Sequence, residues 1–269
     1  MYRALFPISQ LILASLIIIA CGCGGSTTAH VSGAIAPTPT PQASPNPAAP
    51  PNATQVSKIQ SLPGWQFCTK KLNGGVCASG AGNAVSAIHQ HQTSPATDSD
   101  SSEFTISGPT GYSNALWWNS FPPNSNVTHF TYDLWFYVDR PQVSQALEFD
   151  VNQSFGGIRY TWGSECNFKG THKWDIWDPA GFKWVPTGVA CRPFSPKAWH
   201  HLVWQLERAN HQVHYISLTV DNQQSSVDIY KDPQTNWNFE DINVAFQLDG
   251  DSRQDPYNVW LDQVSLTMW

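Results

Sequence analysis

Hydrophobic and polar residues alternate with a period of two through most of the chain beyond its first hundred residues. The segments SEFTIS, THFTYDLWFYVD, QALEFDVNQ, GIRYTW, HKWDIWD, WHHLVWQLER, HYISLTVDN, SSVDIYK, INVAFQLDG and NVWLDQVSLTM are short and are bounded by Gly, Pro, Asn or Asp. That pattern predicts β-strands separated by turns. No segment keeps an apolar period of about 3.6 residues long enough to predict a helix. Many short strands at this spacing predict an all-β fold, a two-sheet antiparallel sandwich or jelly roll.

The alternation also assigns faces. In QALEFDVNQ, residues 145 to 153, Leu147, Phe149 and Val151 share one side and Glu148, Asp150 and Asn152 the other. The first set is expected in the core and the second outside it. In INVAFQLDG, Val244, Phe246 and Leu248 oppose Ala245, Gln247 and Asp249. TYDLWFYVD is apolar on both faces, since Trp135 and Tyr137 alternate with Leu134 and Phe136. Such a strand is either buried on both sides or lines an aromatic groove.

The N-terminal third breaks the pattern. Residues 1–20 carry one positive charge at Arg3 and then LILASLIIIA, an apolar run short enough for the core of an export signal. It ends in IIAC, which resembles the bacterial lipobox and makes Cys21 the expected lipidation site. Residues 21–57 hold no charged side chain and include APTPTPQASPNPAAPP, a composition that stays extended and solvated and is expected to act as a tether. Residues 58–269 then form one domain, of a length suited to a β-sandwich. The expected location is the bacterial cell envelope, with the membrane reached through the lipid anchor.

Composition narrows the chemistry. All 13 Trp and all 20 acidic residues lie in residues 58–269, and the formal net charge is -6. A nucleic-acid partner would need a basic face, so that class is excluded. No phosphate-cradling Gly loop, dinucleotide fingerprint or G-x-S-x-G elbow occurs, which leaves nucleotide binding and serine chemistry unsupported. The aromatic excess suits uncharged, hydroxyl-rich ligands, with Trp135, Trp162 and Trp174 expected at the surface.

Cys68, Cys77, Cys166 and Cys191 form an even set outside the cytoplasm and are expected as disulfides, Cys68 with Cys77 and Cys166 with Cys191, each closing a modest loop. QLDGDSRQD brings Asp249, Asp251 and Asp255 into one Gly-containing loop, a candidate calcium site of oxygen ligands. The pattern requires no cofactor; structural calcium is the one it allows. His200 and His201 are adjacent and point to opposite faces, so they share no metal. HQH at His89 and His91 reads as loop.

Residues 199–223, WHHLVWQLERANHQVHYISLTVDNQ, resemble the laminin-G-like pattern, and VWLDQVSLTMW resembles the final strand of such domains. The resemblance implies a concanavalin A-like lectin/glucanase sandwich with carbohydrate on a concave sheet. QALEFDVNQ is similar to the catalytic strand of laminarinase- and lichenase-type hydrolases, written E-x-D-x-E or, bulged, E-x-D-x-x-E. The resemblance implies Glu148 as nucleophile and Asp150 as its assistant. The acid/base carboxylate is missing: Asn152 stands there in one register and Gln153 in the other. An amide neither protonates a leaving oxygen nor activates water. The chain is therefore expected to bind a polysaccharide without cleaving it, on a face built from Trp135, Tyr137, Glu148, Asp150, Asn152, Gln153, Trp162, Trp174 and Gln247. The alternatives are a glycosidase or lyase with Glu148 and Asp150 catalytic and an acid from another strand, and a structural or adhesion domain.

Overall fold

The computed structural model describes residues 48–68 and 83–269. Cys21, Cys77, the signal segment and most of the tether lie outside them. The described chain forms β1 (Thr54–Val56), β2 (Gln66–Cys68), β3 (Val85–Gln92), β4 (Ser101–Ser107), β5 (Asn114–Phe121) and β6 (His129–Val138). Next come β7 (Ser144–Phe155), β8 (Ile158–Trp162), β9 (Ser164–Asn167), β10 (Lys173–Asp178), β11 (Lys183–Ala190) and β12 (Trp199–Ala209). The chain closes with β13 (Gln212–Val220), β14 (Gln223–Lys231), β15 (Gln234–Thr235), β16 (Asp241–Gly250) and β17 (Tyr257–Met268). Each alternating segment of the sequence is a strand or lies largely within one.

The strands form two antiparallel sheets. The first runs β14-β13-β12-β6-β17-β4-β3, with β1 on β17; the second runs β11-β10-β9-β7-β16-β5-β2, with β8 on β7 and β15 on β8. Sequential neighbours such as β12–β13 pair as hairpins, while β7–β16 and β6–β17 pair across about a hundred residues of chain. β1 lies inside the stretch whose composition reads as tether, because Thr54–Val56 hydrogen-bond to the free edge of residues 266–268. The HQH segment is likewise strand rather than loop: His89 pairs with Glu103 on β4, and a bulge follows before Gln92.

Period two places the core as expected. Leu147, Phe149 and Val151 of β7 and Val244, Phe246 and Leu248 of β16 are buried, as are Tyr132, Leu134, Phe136 and Val138 of β6. Rings interlock between the sheets, with Phe136 5.4 Å from Phe149 and Phe104 5.1 Å from Phe246. Such aromatic contacts add to the apolar area removed from water. Cys166 and Cys191 form a disulfide with Cα atoms 5.5 Å apart, tying β9 to the chain beyond β11. Cys68 is also disulfide-bonded.

Candidate functional site

The outward face of the second sheet carries a line of acids that no single strand reveals. Asp175 on β10 pairs with Glu165 on β9, Glu165 with Glu148 on β7, and Glu148 with Gln247 on β16. Like charges directly opposite on adjacent strands destabilise a sheet, so three in a row mark a place where stability is not the determinant. Asp249 joins from the same face of β16, and ligand atoms of Glu148, Glu165 and Asp249 all lie within 4.8 Å of one another. These three side chains line a cavity of about 230 Å³ with Asn167, and Tyr112 and Trp184 supply its aromatic walls.

Amides hold the acids in place. Gln247 Nε2 donates to Glu148 Oε1 and, at 3.0 Å, to Asp249 Oδ1. Asn167 Nδ2 donates to Glu165 Oε1 at 3.0 Å and to Asp175 Oδ2 at 3.1 Å, while Thr171 Oγ1 donates to Asp175 Oδ1 at 2.7 Å. Among the described residues, no lysine or arginine lines the cavity. Lys169 pairs with Asp251, and Arg159 is engaged by Asn152 Oδ1 at 2.9 and 3.2 Å and lies over Trp237 at 4.4 Å.

Burial without a paired cation raises the pKa values of Glu148, Glu165 and Asp249. Desolvation pushes Glu165 from its ordinary 4.5 up to about 9, with Asp249 and Asp175 adding repulsion. Asp249 and Asp150 rise to about 7, again through burial. Glu148 rises well above its ordinary value through burial and the charges of Asp249, Asp150 and Glu165. A hydrogen bond from Glu148 offsets part of the rise at Asp249, which fits a neutral Glu148 donating to an Asp249 carboxylate. The acids therefore ionise in order, Asp150 and Asp249 before Glu165.

This order predicts an unusual stability profile. A carboxyl whose folded pKa is raised binds more protons folded than unfolded, so its contribution is fully present below the unfolded value and is lost as pH rises through the folded one. Asp251 acts oppositely: its partial burial is outweighed by Lys169 and by the Arg253 and Gln254 amides, so its pKa is lowered and its contribution is lost as pH falls below the usual carboxylate range. Urea midpoints are expected to peak near about pH 5 and to fall steadily toward about pH 9. A midpoint that climbs from pH 5 to 9 would contradict the assignment of protonated carboxyls.

Several expected site residues sit elsewhere. Trp162 and Trp174 are 1% and 2% exposed; both point inward, Trp162 against Phe130 and Trp174 against Trp204, so neither is a surface platform. Trp135 and Tyr137 face outward from the first sheet, Trp135 stacked on His201 at 4.7 Å and Tyr137 between Trp199 and Trp260. They belong to the opposite side of the sandwich from Glu148. β7 and β16 pair without a bulge from Leu147 to Ser154, so Asn152 holds the position of the missing carboxylate and Gln153 faces inward. Gln153 donates to the carbonyls of Asn124 and Val127 and accepts from Arg208, pinning the β5–β6 connection. Asn152 is spent on Arg159 and Asn243. Asp249, Asp251 and Asp255 do not converge: Asp249 enters the acid cluster, Asp251 caps its own turn and pairs with Lys169, and Asp255 joins neither. Among the described residues it is Glu148, Glu165 and Asp249, rather than the three loop aspartates, whose carboxylate oxygens lie close enough together to hold a cation.

Glu165, Asp175 and Tyr112 are site residues that reading along the sequence does not single out, whereas Trp184 belongs to the aromatic set that HKWDIWDPAGFKW supplies. SEC and WDIWD do alternate, with Cys166 and Trp174 inward, so the outward direction of Glu165 and Asp175 is legible; their partners are not. No family model matches the chain, and no curated protein does. Among solved structures, the chain is similar to "Cellulose induced protein, Cip1", at 12% identity and a TM-score of 0.47 over 75% of this chain and 90% of that one. An endo-beta-1,4-glucuronan lyase from the fungus Trichoderma reesei is 13% identical, with a TM-score of 0.42 over 75% and 94%. The lectin UEA-II, complexed with galactose, is 12% identical, with a TM-score of 0.40 over 76% and 97%. At such identities the likeness says nothing of substrate or chemistry.

Proposed function

We propose that this protein acts on a neutral glycan at the cavity of Glu148, Glu165 and Asp249, and that it cleaves a glycosidic bond there by acid/base chemistry. The observation that carries this reading is the meeting of three carboxyls from β7, β9 and β16 within 4.8 Å, Glu165 raised to about 9 and Asp249 to about 7. Environments that push carboxyl pKa values apart divide the labour of acid and base. Glu165, which keeps its proton at neutral pH, donates to the leaving oxygen; Asp249, the anion, takes the role of nucleophile or base. The close spacing fits retention of configuration. The acid that the strand QALEFDVNQ lacks is then supplied across the sheet, and Glu148 is a neutral donor to Asp249 rather than the nucleophile. Tyr112 and Trp184 offer ring faces to a sugar.

A lyase is the less suited alternative. Removing a proton beside a uronate calls for a group that quiets its carboxylate, and for that the described lining offers neutral donors but no lysine or arginine. Binding without cleavage is favoured by one observation: Gln247 and Asp249 between them already engage Glu148. Incubating the protein with β-glucans, xylan, peptidoglycan and alginate separates these readings. New reducing ends from a neutral glycan support cleavage; retention on a glycan with no product supports binding alone; unsaturated products from alginate overturn the neutral-substrate reading.

On the same reading the protein sits at the bacterial cell envelope, held through lipid on Cys21 with the proline-rich segment as spacer; the IIAC sequence supports this. Cys21→Ser is expected to move the protein from the membrane to the soluble fraction. Unchanged membrane association would remove the anchor from the proposal.

A further inference from the structure

The outward face of the second sheet continues past the acid cavity. Asn152 stands on the same face of β7 as Glu148, four residues further on, which is about 13 Å at about 3.3 Å per residue. There Arg159 of β8, paired with Ser154 on β7 and Gln234 on β15, reaches back to Asn152.

Its guanidinium is held on two sides. Nε and Nη2 both donate to Asn152 Oδ1, at 3.2 and 2.9 Å, and the group lies 4.4 Å over the ring of Trp237. Each support is itself fixed: Asn152 is 1% exposed and donates to Asn243 Oδ1 at 2.9 Å, and the Trp237 backbone N–H donates to the Gly157 carbonyl at 3.0 Å. Of the five N–H donors of a guanidinium, two are then used, and the others have no partner among the described residues. Asp241 and Asp150 act on Arg159 as nearby charges without a hydrogen bond to it, and Asp241 Oδ2 accepts from Ser120 and Asn243, each at 2.9 Å. Burial lowers the pKa of Arg159. A cation partly withdrawn from water and held rigid, with donors unused, is a preformed receptor for an oxyanion. Phe239, 69% exposed, meets Trp237 at 6.0 Å and widens the aromatic ledge on which a sugar ring can lie.

We propose that Arg159 and Trp237 form a site for an acidic sugar, its oxyanion taken by the free guanidinium N–H groups and its ring laid against Trp237 and Phe239. Resting on the reading of the acid cavity as a glycan site, this names the substrate class: a main chain neutral at the cleaved bond that carries an acidic sugar about 13 Å away. The oxyanion is the carboxylate of a uronate or the sulfate of a sulfated sugar. The test titrates the full-length, isotope-labelled protein with methyl β-D-glucuronide in one arm and the 6-sulfate of methyl β-D-glucopyranoside in the other, with the uncharged glucoside as control. The Arg159 Nε and Trp237 indole resonances are expected to shift saturably in at least one charged arm, which identifies the source, and not with the control. Arg159→Lys, followed at Trp237, is expected to weaken binding about tenfold, the loss of a charge-assisted hydrogen bond. Trp237→Ala, followed at Arg159, is expected to weaken it about threefold or more. Absence of a shift in both charged arms overturns the proposal, as does an equal shift with the uncharged glucoside. Unchanged affinity in both variants overturns it too, because the ligand would then sit elsewhere. Glu165→Gln is expected to leave these shifts as they are, so this site and the cleavage reading fail independently.

Discussion

Glu165→Gln is expected to make the protein more stable at about pH 9 and to remove nearly all of its glycan cleavage. The carboxyl is 5% exposed, faces Glu148 and Asp175 on neighbouring strands, and is raised from 4.5 to about 9. Its destabilising effect is absent below pH 4.5 and grows as pH rises toward 9, and an amide does not ionise. The variant should match the wild type near about pH 4 and exceed it at about pH 9 by about 2 kcal/mol or more, since raising a pKa by one corresponds to about 1.4 kcal/mol. Part of the gain reaches Glu148 and Asp249, which lose a repelling neighbour. Geometry should survive, because Asn167 Nδ2 still finds an oxygen and the new amide faces Asp175. Cleavage should fall about a hundredfold to ten-thousandfold, the usual worth of a positioned proton donor. Denaturation at the two pH values and product assays on one preparation check both halves. Equal stability at pH 9 would mean that Glu165 is not held protonated. Greater stability with full activity would leave the cluster real and move the acid role elsewhere.

Trp174→Ala is expected to cost about 3 to 5 kcal/mol of folding stability, the range for deleting a large buried aromatic. Trp174 is 2% exposed and contacts Phe149 and Trp204, each with ring centroids 6.2 Å away, one ring in each sheet. Its removal therefore opens the space between sheets rather than a binding surface. Trp135→Ala, by contrast, loses one stacked contact with His201 on an outer face, and about 1 kcal/mol is expected. Urea unfolding of both variants distinguishes the two positions. A Trp174→Ala protein with an unchanged midpoint and weakened glycan retention would restore this residue to a binding surface and contradict its packing between the sheets.

These two tryptophans show where reading from sequence stops. WDIWD tells that Trp174 and Ile176 share a face, and that Asp175 takes the other. It does not tell which face is the core, because aromatic side chains suit a buried sheet interior and a sugar-binding platform equally well. The same holds for Trp135 and Tyr137: alternation places them opposite Leu134 and Phe136, but the sheet to which β6 belongs decides what they look toward. In QALEFDVNQ the apolar set is long enough to settle the direction, and Leu147, Phe149 and Val151 are indeed buried.

The acid cluster illustrates the other limit. Glu148 stands out from its own strand, where a third carboxylate is expected two or three residues beyond Asp150 and only amides occur. The carboxyls that meet it stand at positions 165 and 249, on β9 and β16, directly across or diagonal to it. Side-chain alternation is a local property of an extended backbone, so most of the strands, the residues that share a face on them and the all-β class followed from the amino-acid order alone, whereas β3 read as loop. Pairing between strands far apart in the chain is a property of the whole sandwich. Only that register brought Glu148, Glu165 and Asp249 into one cavity, and only the resulting burial, by taking their charges out of water, set the order in which they give up their protons.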